Sequence, residues 1–422
     1  MIWIIVLLFV LFFLRVPIAF ALGISSLVGL LMSGTDMILV AQKIFSGIDS
    51  FTLLAIPLFV LAGELMSVGG LSKRLVDFAA LLVGHLPAGL AMVAVLACTF
   101  FASISGTAIA DAAAIGGMLI PAMIAQGYDR RFASSLVASA ATIGPVIPPS
   151  IPLILYGVIA SVSIGDLFIA GIVPGMLMAL GLMLYTYYYG VRHHIKGREK
   201  MASLKEIVLG LKDALLALML PVIIIGGFRF GIFTATEAGV VAVVYALLVG
   251  FLYRELDVKK VAKSLLESAV SSATILFVIG NATLFTWLLA YHNIPQKISA
   301  YVSAISTEPW VILLLINIIL LIAGTFIDTI SALTIFTPLF LPVILAAGID
   351  PVHFGIIMMV NLTIGMITPP LGVALFVTSS IAKINLAEMI RPLVPMLLVL
   401  LLVLLLVTYI PELSLFLPRL LG

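Results

Sequence analysis

Long uninterrupted apolar stretches alternate along the chain with short polar ones. No Asp, Glu, Lys or Arg occurs from Phe132 to Gly165, from Leu167 to Val191, from Ser268 to Gln296, or from Pro392 to Pro411. A membrane span takes roughly 20 apolar residues, so each run predicts at least one helix that crosses a lipid bilayer. The period-two alternation of an outer-membrane β-barrel is absent. The pattern therefore predicts an all-α polytopic membrane protein with about eleven spans. Met1–Leu14 lacks the basic start and small-residue cleavage site of a signal peptide, and it runs through Arg15 and Pro17 into a second apolar stretch. It is expected to be a retained span.

Composition agrees with this reading. Apolar residues make up 63% of the 422 and charged residues 9%, where soluble domains run near half and about a quarter. The placement of the charges matters more than their net of +2. One basic segment holds Arg192, Lys196, Arg198, Lys200, Lys205 and Lys212; another holds Arg254, Lys259, Lys260 and Lys263. The positive-inside rule puts both on the cytoplasmic side. The apolar segments between them, about 213–228 and 232–253, then form a hairpin turning near Arg229–Gly231, on the outer face. Both basic segments are amphipathic, as in Leu204-Lys205-Glu206-Ile207-Val208, and are expected either as interfacial helices or as ordinary loops. The single cysteine, Cys98, excludes an internal disulfide and a cysteine-based metal site.

The chain also repeats itself. Residues 142–149 read TIGPVIPP and residues 363–370 read TIGMITPP, at an offset of 221. Gly127-Tyr128-Asp129 matches Gly348-Ile349-Asp350, and Val173-Pro174 matches Val394-Pro395, at the same offset of 221. Ser105-Gly106-Thr107 corresponds to Ala323-Gly324-Thr325 at 218, so one short indel aligns blocks of roughly 88–180 and 308–402. Internal repeats in membrane proteins characterise secondary transporters, whose substrate and ions bind at the interface between the repeats.

Two features recur in each block. Around Gly106 and Gly324 the apolar sequence turns small and hydroxylated, with Ser103, Ser105, Thr107 and Asp111 in the first copy and Thr325, Asp328, Thr329, Ser331 and Thr334 in the second. The flanking segments, 87–104 and 112–126, then 310–323 and 335–347, are short for full spans. They predict re-entrant helical hairpins with tips inside the membrane. The second feature is the Pro-Pro pair. Pro148-Pro149 and Pro369-Pro370 remove amide donors, while Gly144 and Gly365 permit unusual dihedrals. Unwound backbone at membrane depth is tolerated only when buried in protein or lining a polar site. Freed carbonyls and hydroxyls suit an alkali cation such as Na⁺, and helix N-termini suit a carboxylate.

Charge inside a bilayer is costly, which singles out Glu64, Asp111, Glu237 and Asp328. Asp111 and Asp328 lie just beyond the two Gly-Thr tips and are read either as structural or electrostatic groups beside the site or as direct ion ligands. Glu64 and Glu237 are expected at interhelical or interfacial positions. His85, His292 and His353 share no spacing. No Gly-Lys dipeptide occurs, so the phosphate-cradling Walker loop is missing and no nucleotide is expected. HExxH and GxSxG are missing as well, and nucleic-acid recognition has no support; the chain is expected not to be an enzyme.

The paired Gly-Thr tips, with TIGPVIPPS and TIGMITPPLG, resemble the large membrane subunit of tripartite ATP-independent periplasmic (TRAP) transporters. The resemblance extends to Arg15-Val16-Pro17 and to IPLFVLAGELM at 56–66. It implies inverted structural repeats and an elevator-type transporter of the ion-transporter superfamily, driven by a Na⁺ gradient. It also implies a small four-helix membrane subunit as a separate chain, a periplasmic substrate-binding protein, and an organic-anion substrate such as a C4-dicarboxylate, sialic acid, or another sugar or keto acid. The setting would be the bacterial inner membrane. One implied Na⁺ cluster joins Ser103, Ser105, Gly106 and Thr107 to Thr142, Gly144, Val146 and Pro148. The other joins Gly324 and Thr325 to Thr363, Gly365, Met366 and Thr368. The substrate region would take Ser105, Thr107, Asp111, Pro149, Thr325, Asp328 and Pro370. The implied organisation is a scaffold segment at 1–86, a transport repeat at 87–190 with hairpin 1 at about 87–126, a scaffold with the basic segments at 191–307, and a second repeat at 308–422 with hairpin 2 at about 308–347. Rival readings are a stand-alone Na⁺/dicarboxylate symporter, a polytopic enzyme acting on lipid-linked substrates, and a passive channel.

Overall fold

In hydrocarbon a backbone amide has no water to bond, so a spanning segment must satisfy its own amides, and a helix does this within one segment. The computed structural model describes residues 2–14 and 16–421, and every regular element among them is a helix. Met1, Arg15 and Gly422 lie outside the described residues. In chain order come α1 (Ile2–Phe13), α2 (Ile18–Ser33), α3 (Ile38–Ile48), α4 (Ala55–Val68, preceded by a 3₁₀ turn at Phe51–Leu54) and α5 (Leu71–Val83). Next are α6 (Gly89–Ser105), α7 (Ala108–Ala125), α8 (Arg130–Ala141), α9 (Ile151–Ala160) and α10 (Ile164–Arg192). Then follow α11 (Leu204–Arg229), α12 (Ala235–Leu252), α13 (Val258–Tyr291), α14 (Ile294–Ile305) and α15 (Pro309–Gly324). Last are α16 (Thr329–Ala346), α17 (Pro351–Gly365), α18 (Val373–Ala382), α19 (Leu386–Tyr409) and α20 (Glu412–Leu421).

Among the described residues eight helices are long and apolar enough to cross a membrane. The expected count of about eleven divides differently, because α8 with α9, and α17 with α18, are pairs of short helices in series. The two amphipathic basic segments divide between the expected loops and the starts of long helices. Leu204–Val208 is the first turn of α11, started by a reciprocal cap in which Ser203 N donates to Glu206 at 2.7 Å and Glu206 N donates to Ser203 Oγ at 3.3 Å. Lys259, Lys260 and Lys263 lie in the first turns of α13, capped by Asp257. Arg192 ends α10, Lys196, Arg198, Lys200 and Arg254 lie in the linkers before α11 and α13, and the later residues of each segment are the polar start of a long apolar helix; α11 and α12 form the expected hairpin.

The repeat holds element by element. Hairpin 1 (α6, α7), the broken pair α8–α9 and the long α10 correspond to hairpin 2 (α15, α16), α17–α18 and α19. Short helices α5 and α14 lead into the two hairpins. The copies run in opposite directions. Phe132 of α8 stacks on Tyr189 near the end of α10, with ring centroids 3.7 Å apart, and Ser135 Oγ donates to Met389 O in the first turns of α19 at 3.1 Å. The start of α17 lies at the other end, where His353 Nδ1 is 2.6 Å from Ser414 Oγ, just beyond α19. Hence α8 and α17, and likewise α10 and α19, are antiparallel. Lys383 and Arg391 flank the start of α19, and Arg130 and Arg131 begin α8, so they join the basic face. Arg74 joins it too, with its guanidinium 3.8 Å from the Tyr253 ring centroid.

Candidate functional site

Each hairpin is built from arms of 16 to 18 residues. At 1.5 Å per residue these are about 24–27 Å long, short of the roughly 30 Å hydrocarbon core. The tip of hairpin 1 turns at Gly106, left-handed at φ 61°, and Thr107 caps α7 by accepting from Ala110 N at 3.3 Å. Glycine is required there twice over. A Cβ would sit in the left-handed region and would meet Pro149 O at 2.7 Å. The tip thus lies directly on break 1, the irregular stretch between α8 and α9. Ser150 starts α9, accepting from Leu153 N at 3.3 Å and donating to Pro145 O.

Asp111, in the first turn of α7, is fully buried. It accepts from Ser105 Oγ through Oδ1, while Oδ2 has no hydrogen-bond partner and packs on Gly144 of break 1. Asp328 behaves otherwise. It is the N-cap of α16, accepting from Ser331 N at 3.1 Å and Ser331 Oγ at 2.6 Å. Its counterpart in hairpin 1 is therefore Thr107, not Asp111, and the pairing of the two aspartates suggested by the sequence is corrected. The cause is the linker: Gly106 and Thr107 join the arms of hairpin 1, whereas Thr325, Phe326, Ile327 and Asp328 join those of hairpin 2. Hairpin 2 meets break 2 through glycines, Gly365 lying so that a Cβ would be 2.7 Å from Gly324 Cα.

Five hydroxyls of the two clusters share one geometry, from which Ser105, bonded to Asp111, and Thr107, the cap of α7, depart. Ser103 donates to Phe100 O at 2.6 Å, Thr142 to Ser139 O at 2.6 Å and Thr325 to Ile322 O at 2.7 Å. Thr363 donates to Val360 O at 2.9 Å and Thr368 to Ile364 O at 2.8 Å. Each proton is committed to the preceding turn, which leaves the oxygen lone pairs as acceptors. Among the described residues the carbonyls of Thr142, Gly144 and Pro148 accept no hydrogen bond. Not every expected oxygen is free. The Val146 carbonyl faces Gly171 of α10, and the Met366 carbonyl accepts from Ala374 N at 3.1 Å while its sulfur accepts from Thr329 Oγ1 at 3.1 Å. Gly365 O accepts from Thr368 N at 2.9 Å. Pro149 is buried and Pro370 is exposed.

Residues outside the expected clusters also matter. Asn361 Nδ2 donates to Asn317 Oδ1 at 2.7 Å and Asn317 Nδ2 to Thr408 Oγ1 at 3.0 Å, tying α15, α17 and α19 together. Two amides in charge-free apolar runs were a visible signal. Glu237 completes a cap with Thr234, at 2.8 Å, at the start of α12. Glu64 is half-buried beside Glu267 and Lys263. Among the described residues no cluster of three or more His, Cys, Asp or Glu is placed to hold a metal. Any cation here would be held by backbone and hydroxyl oxygens.

Antiparallel repeats, each joining a hairpin tip to an interrupted helix, define a polytopic membrane protein of the secondary-transporter class. The chain belongs to the DctM family: residues 5–413 match the tripartite ATP-independent periplasmic transporter, DctM component. It is 43% identical over 404 residues to the C4-dicarboxylate TRAP transporter large permease protein DctM of Pseudomonas aeruginosa, covering 95% of this chain and 94% of that one. It is also 43% identical over 403 residues to the isethionate TRAP transporter permease protein DctMQ of Oleidesulfovibrio alaskensis, covering 95% of this chain and 64% of that protein. The fold is similar to that in the crystal structure of the Alcanivorax borkumensis YdaH transporter, titled as having an unusual topology. That likeness has a TM-score of 0.63 and 18% identity, over 87% of this chain and 86% of that one.

Proposed function

We propose that this large permease component carries a small organic anion into the cell down a Na⁺ gradient, the hairpin repeats moving as an elevator against a scaffold. One observation supports this above the rest: the doubled arrangement of tip and break, buried throughout break 1 and through most of break 2, with five hydroxyl protons committed to backbone and lone pairs left over. Ser103, Ser105, Thr107, Thr142, Gly144 and Pro148 would supply oxygens for one Na⁺, and Gly324, Thr325, Thr363 and Thr368 for a second. Hard cations prefer such oxygens. The N-termini of α7, α9 and α16 would face the substrate carboxylate between the tips, near Pro149, Asp328 and Pro370.

Relatives at the same 43% identity are named for isethionate and for C4-dicarboxylates. Selectivity among small anions would then rest largely outside this chain, with a periplasmic binding protein. The DctMQ relative, of which this chain spans 64%, leaves room for a small second membrane component. With the basic face inward, the setting is an inner membrane. The test is uptake of labelled C4-dicarboxylates, isethionate and sialic acid into proteoliposomes, with the chain co-reconstituted with a small membrane subunit. An inward Na⁺ gradient is compared with K⁺, with and without binding protein. Uptake that needs both Na⁺ and the binding protein is expected. Uptake without the binding protein would make the chain a stand-alone symporter, and indifference to Na⁺ would sink the ion sites.

A further inference from the structure

We propose that Gly63 of α4 is the seat on which the tip of hairpin 1 rests, and that its missing side chain sets where the tip backbone lies over break 1. The inference rests on the Na⁺-coupled reading above. α4 belongs to neither hairpin. It is fastened along one side to α12: a Cβ on Gly239 would come within 2.8 Å of Leu58 Cβ, and one on Gly69 would lie 3.6 Å from Gly250 Cα. The two helices therefore run almost backbone to backbone. Gly63 follows Leu58 by five residues, which places it about 140° further round the helix, on another face.

On that face lies the tip. A Cβ at Gly63 would meet Ile104 O at 3.2 Å, Ser105 Cα at 3.6 Å and Ser105 O at 3.7 Å, all of them backbone atoms. Pro149 O lies against the same tip at Gly106. The tip thus meets both α4 and break 1 through backbone atoms, with no flexible side chain among the nearest contacts to absorb a change. Hairpin 2 is not held this way. Its tip touches break 2 through Gly324 and Gly365, and Phe326 beyond it borders an apolar cavity of about 620 Å³ shared with Phe9 and Phe12 of α1.

A methyl group at position 63 would push Ile104 and Ser105 by a few tenths of an ångström away from α4. That moves the Ser105 hydroxyl and the carbonyls beside it, which are oxygens of the first proposed cation cluster. A misplacement of 1 Å in a site costs about a hundredfold, so this shift should cost roughly three- to tenfold. Gly63 is a positioning residue in this account and touches no ion itself.

The test is uptake against Na⁺ concentration for wild type, Gly63→Ala, Gly63→Val and Gly226→Ala. Gly226 of α11 is the control, since a Cβ there meets nothing within 4 Å. The half-saturating Na⁺ should rise roughly three- to tenfold in Gly63→Ala and further in Gly63→Val, with the maximal rate of Gly63→Ala near that of wild type. Gly226→Ala should track wild type. An unchanged half-saturating Na⁺ in Gly63→Ala, whether or not the maximal rate falls, overturns the seat while leaving Na⁺ coupling in place. Should Gly63→Val not fold, the Na⁺-induced rise in Tm of purified Gly63→Ala decides: a smaller rise than wild type is expected, and an equal rise overturns the proposal. Wild-type uptake indifferent to Na⁺ would sink both readings.

Discussion

The tip of hairpin 1 closes with Gly106 and Thr107, whereas that of hairpin 2 takes the four residues from Thr325 to Asp328. Around the first tip the packing is dense, with a buried carboxyl at its centre. Asp111 reaches back to Ser105 with one oxygen and rests on Gly144 with the other, and break 1 is buried from Thr142 to Ser150. Around the second it is more open, with Asp328 turned to the start of its own helix. Gly324 meets Gly365 backbone to backbone, and break 2 emerges at Pro370 and Leu371, both exposed beside the apolar cavity. What hairpin 2 lacks in burial at its tip it recovers lower down, where the Asn317–Asn361 pair stands at positions matching Thr99 and Ala140 of the first repeat. Duplication has preserved the path of the chain and left each half free to hold its tip by different chemistry.

The largest effect expected from breaking this comparison comes at the paired glycines of the breaks. In Gly365→Ala the new methyl meets only Gly324 backbone, with contacts at 2.7 to 2.9 Å. No side chain can step aside, so one helix end must move, at a cost of about 3 kcal/mol or more. A large fall in Tm and loss of uptake are expected. In Gly144→Ala the methyl meets the carboxyl of Asp111, a side chain that can rotate. Folding should survive there while uptake falls. Equal losses of Tm in the two variants would show that the halves are packed alike.

Asp111 and Asp328 come next. Asparagine caps a helix about as well as aspartate, so Asp328→Asn should keep its bond to Ser331 N and most of its uptake. Asp111→Asn exchanges one oxygen of the buried carboxyl beside the first cation cluster for an amide nitrogen, which cannot ligate a cation. A hydrogen bond or contact to a charged group is worth about 1.5–3 kcal/mol, so the half-saturating Na⁺ should rise roughly tenfold or more. Similar Na⁺ curves for the two variants would restore the symmetry suggested by the sequence.

How far the sequence reveals all this depends on the kind of contact. Pro-Pro pairs and Gly-Thr steps mark where helices stop, because a missing amide or a left-handed turn acts locally, and both breaks and both tips are found there. Ser203-x-x-Glu206 and Thr234-x-x-Glu237 likewise spell out helix starts. The two-residue difference between the tip linkers misled, since aligning Gly106 with Gly324 brings Asp111 and Asp328 nearly into register although they do different things. The pairing of α5 with α14 has only amphipathic character to announce it. The approach of Gly63 to Ile104 and Ser105 joins bare backbone to bare backbone from distant parts of the chain. No side chain advertises it.

The amide pair gives a smaller effect, on stability. Asn361→Ala leaves Asn317 Oδ1 without its donor in a buried site, for a loss of about 1–3 kcal/mol. Asn361→Leu would add steric misfit to the same loss. In the first repeat no such bond exists at Thr99 and Ala140, the Thr99 hydroxyl donating to Val95 O of its own helix at 2.8 Å, so the expected fall in Tm should leave the Na⁺ dependence of the first cluster unchanged. A shifted Na⁺ curve with an unchanged Tm would make Asn361 part of a site instead of an anchor.

The finest distinction lies at the starts of α8 and α17, capped by Asp129 and Asp350. Both accept backbone amides, Asp129 from Arg131 N at 2.9 Å and Asp350 from Val352 N at 2.7 Å. Only Asp129 also pairs with a guanidinium, Arg131 Nη2 lying 2.8 Å from Oδ2, and that side-chain bond, ahead of the amide, holds its carboxyl below the usual range. A lowered folded-state value means that the contribution is present above the unfolded carboxylate range and is lost as pH falls through the folded one. The pair is solvated, so Asp129→Asn, which keeps a competent cap, should change stability within about 0.5 kcal/mol. The small difference from wild type should vanish on acidification through the carboxylate range, whereas Asp350→Asn has no ion pair to lose. Comparing Tm at neutral and acidic pH for the two variants separates the cap, which the repeats share, from the charge, which belongs to the basic face of the first repeat alone.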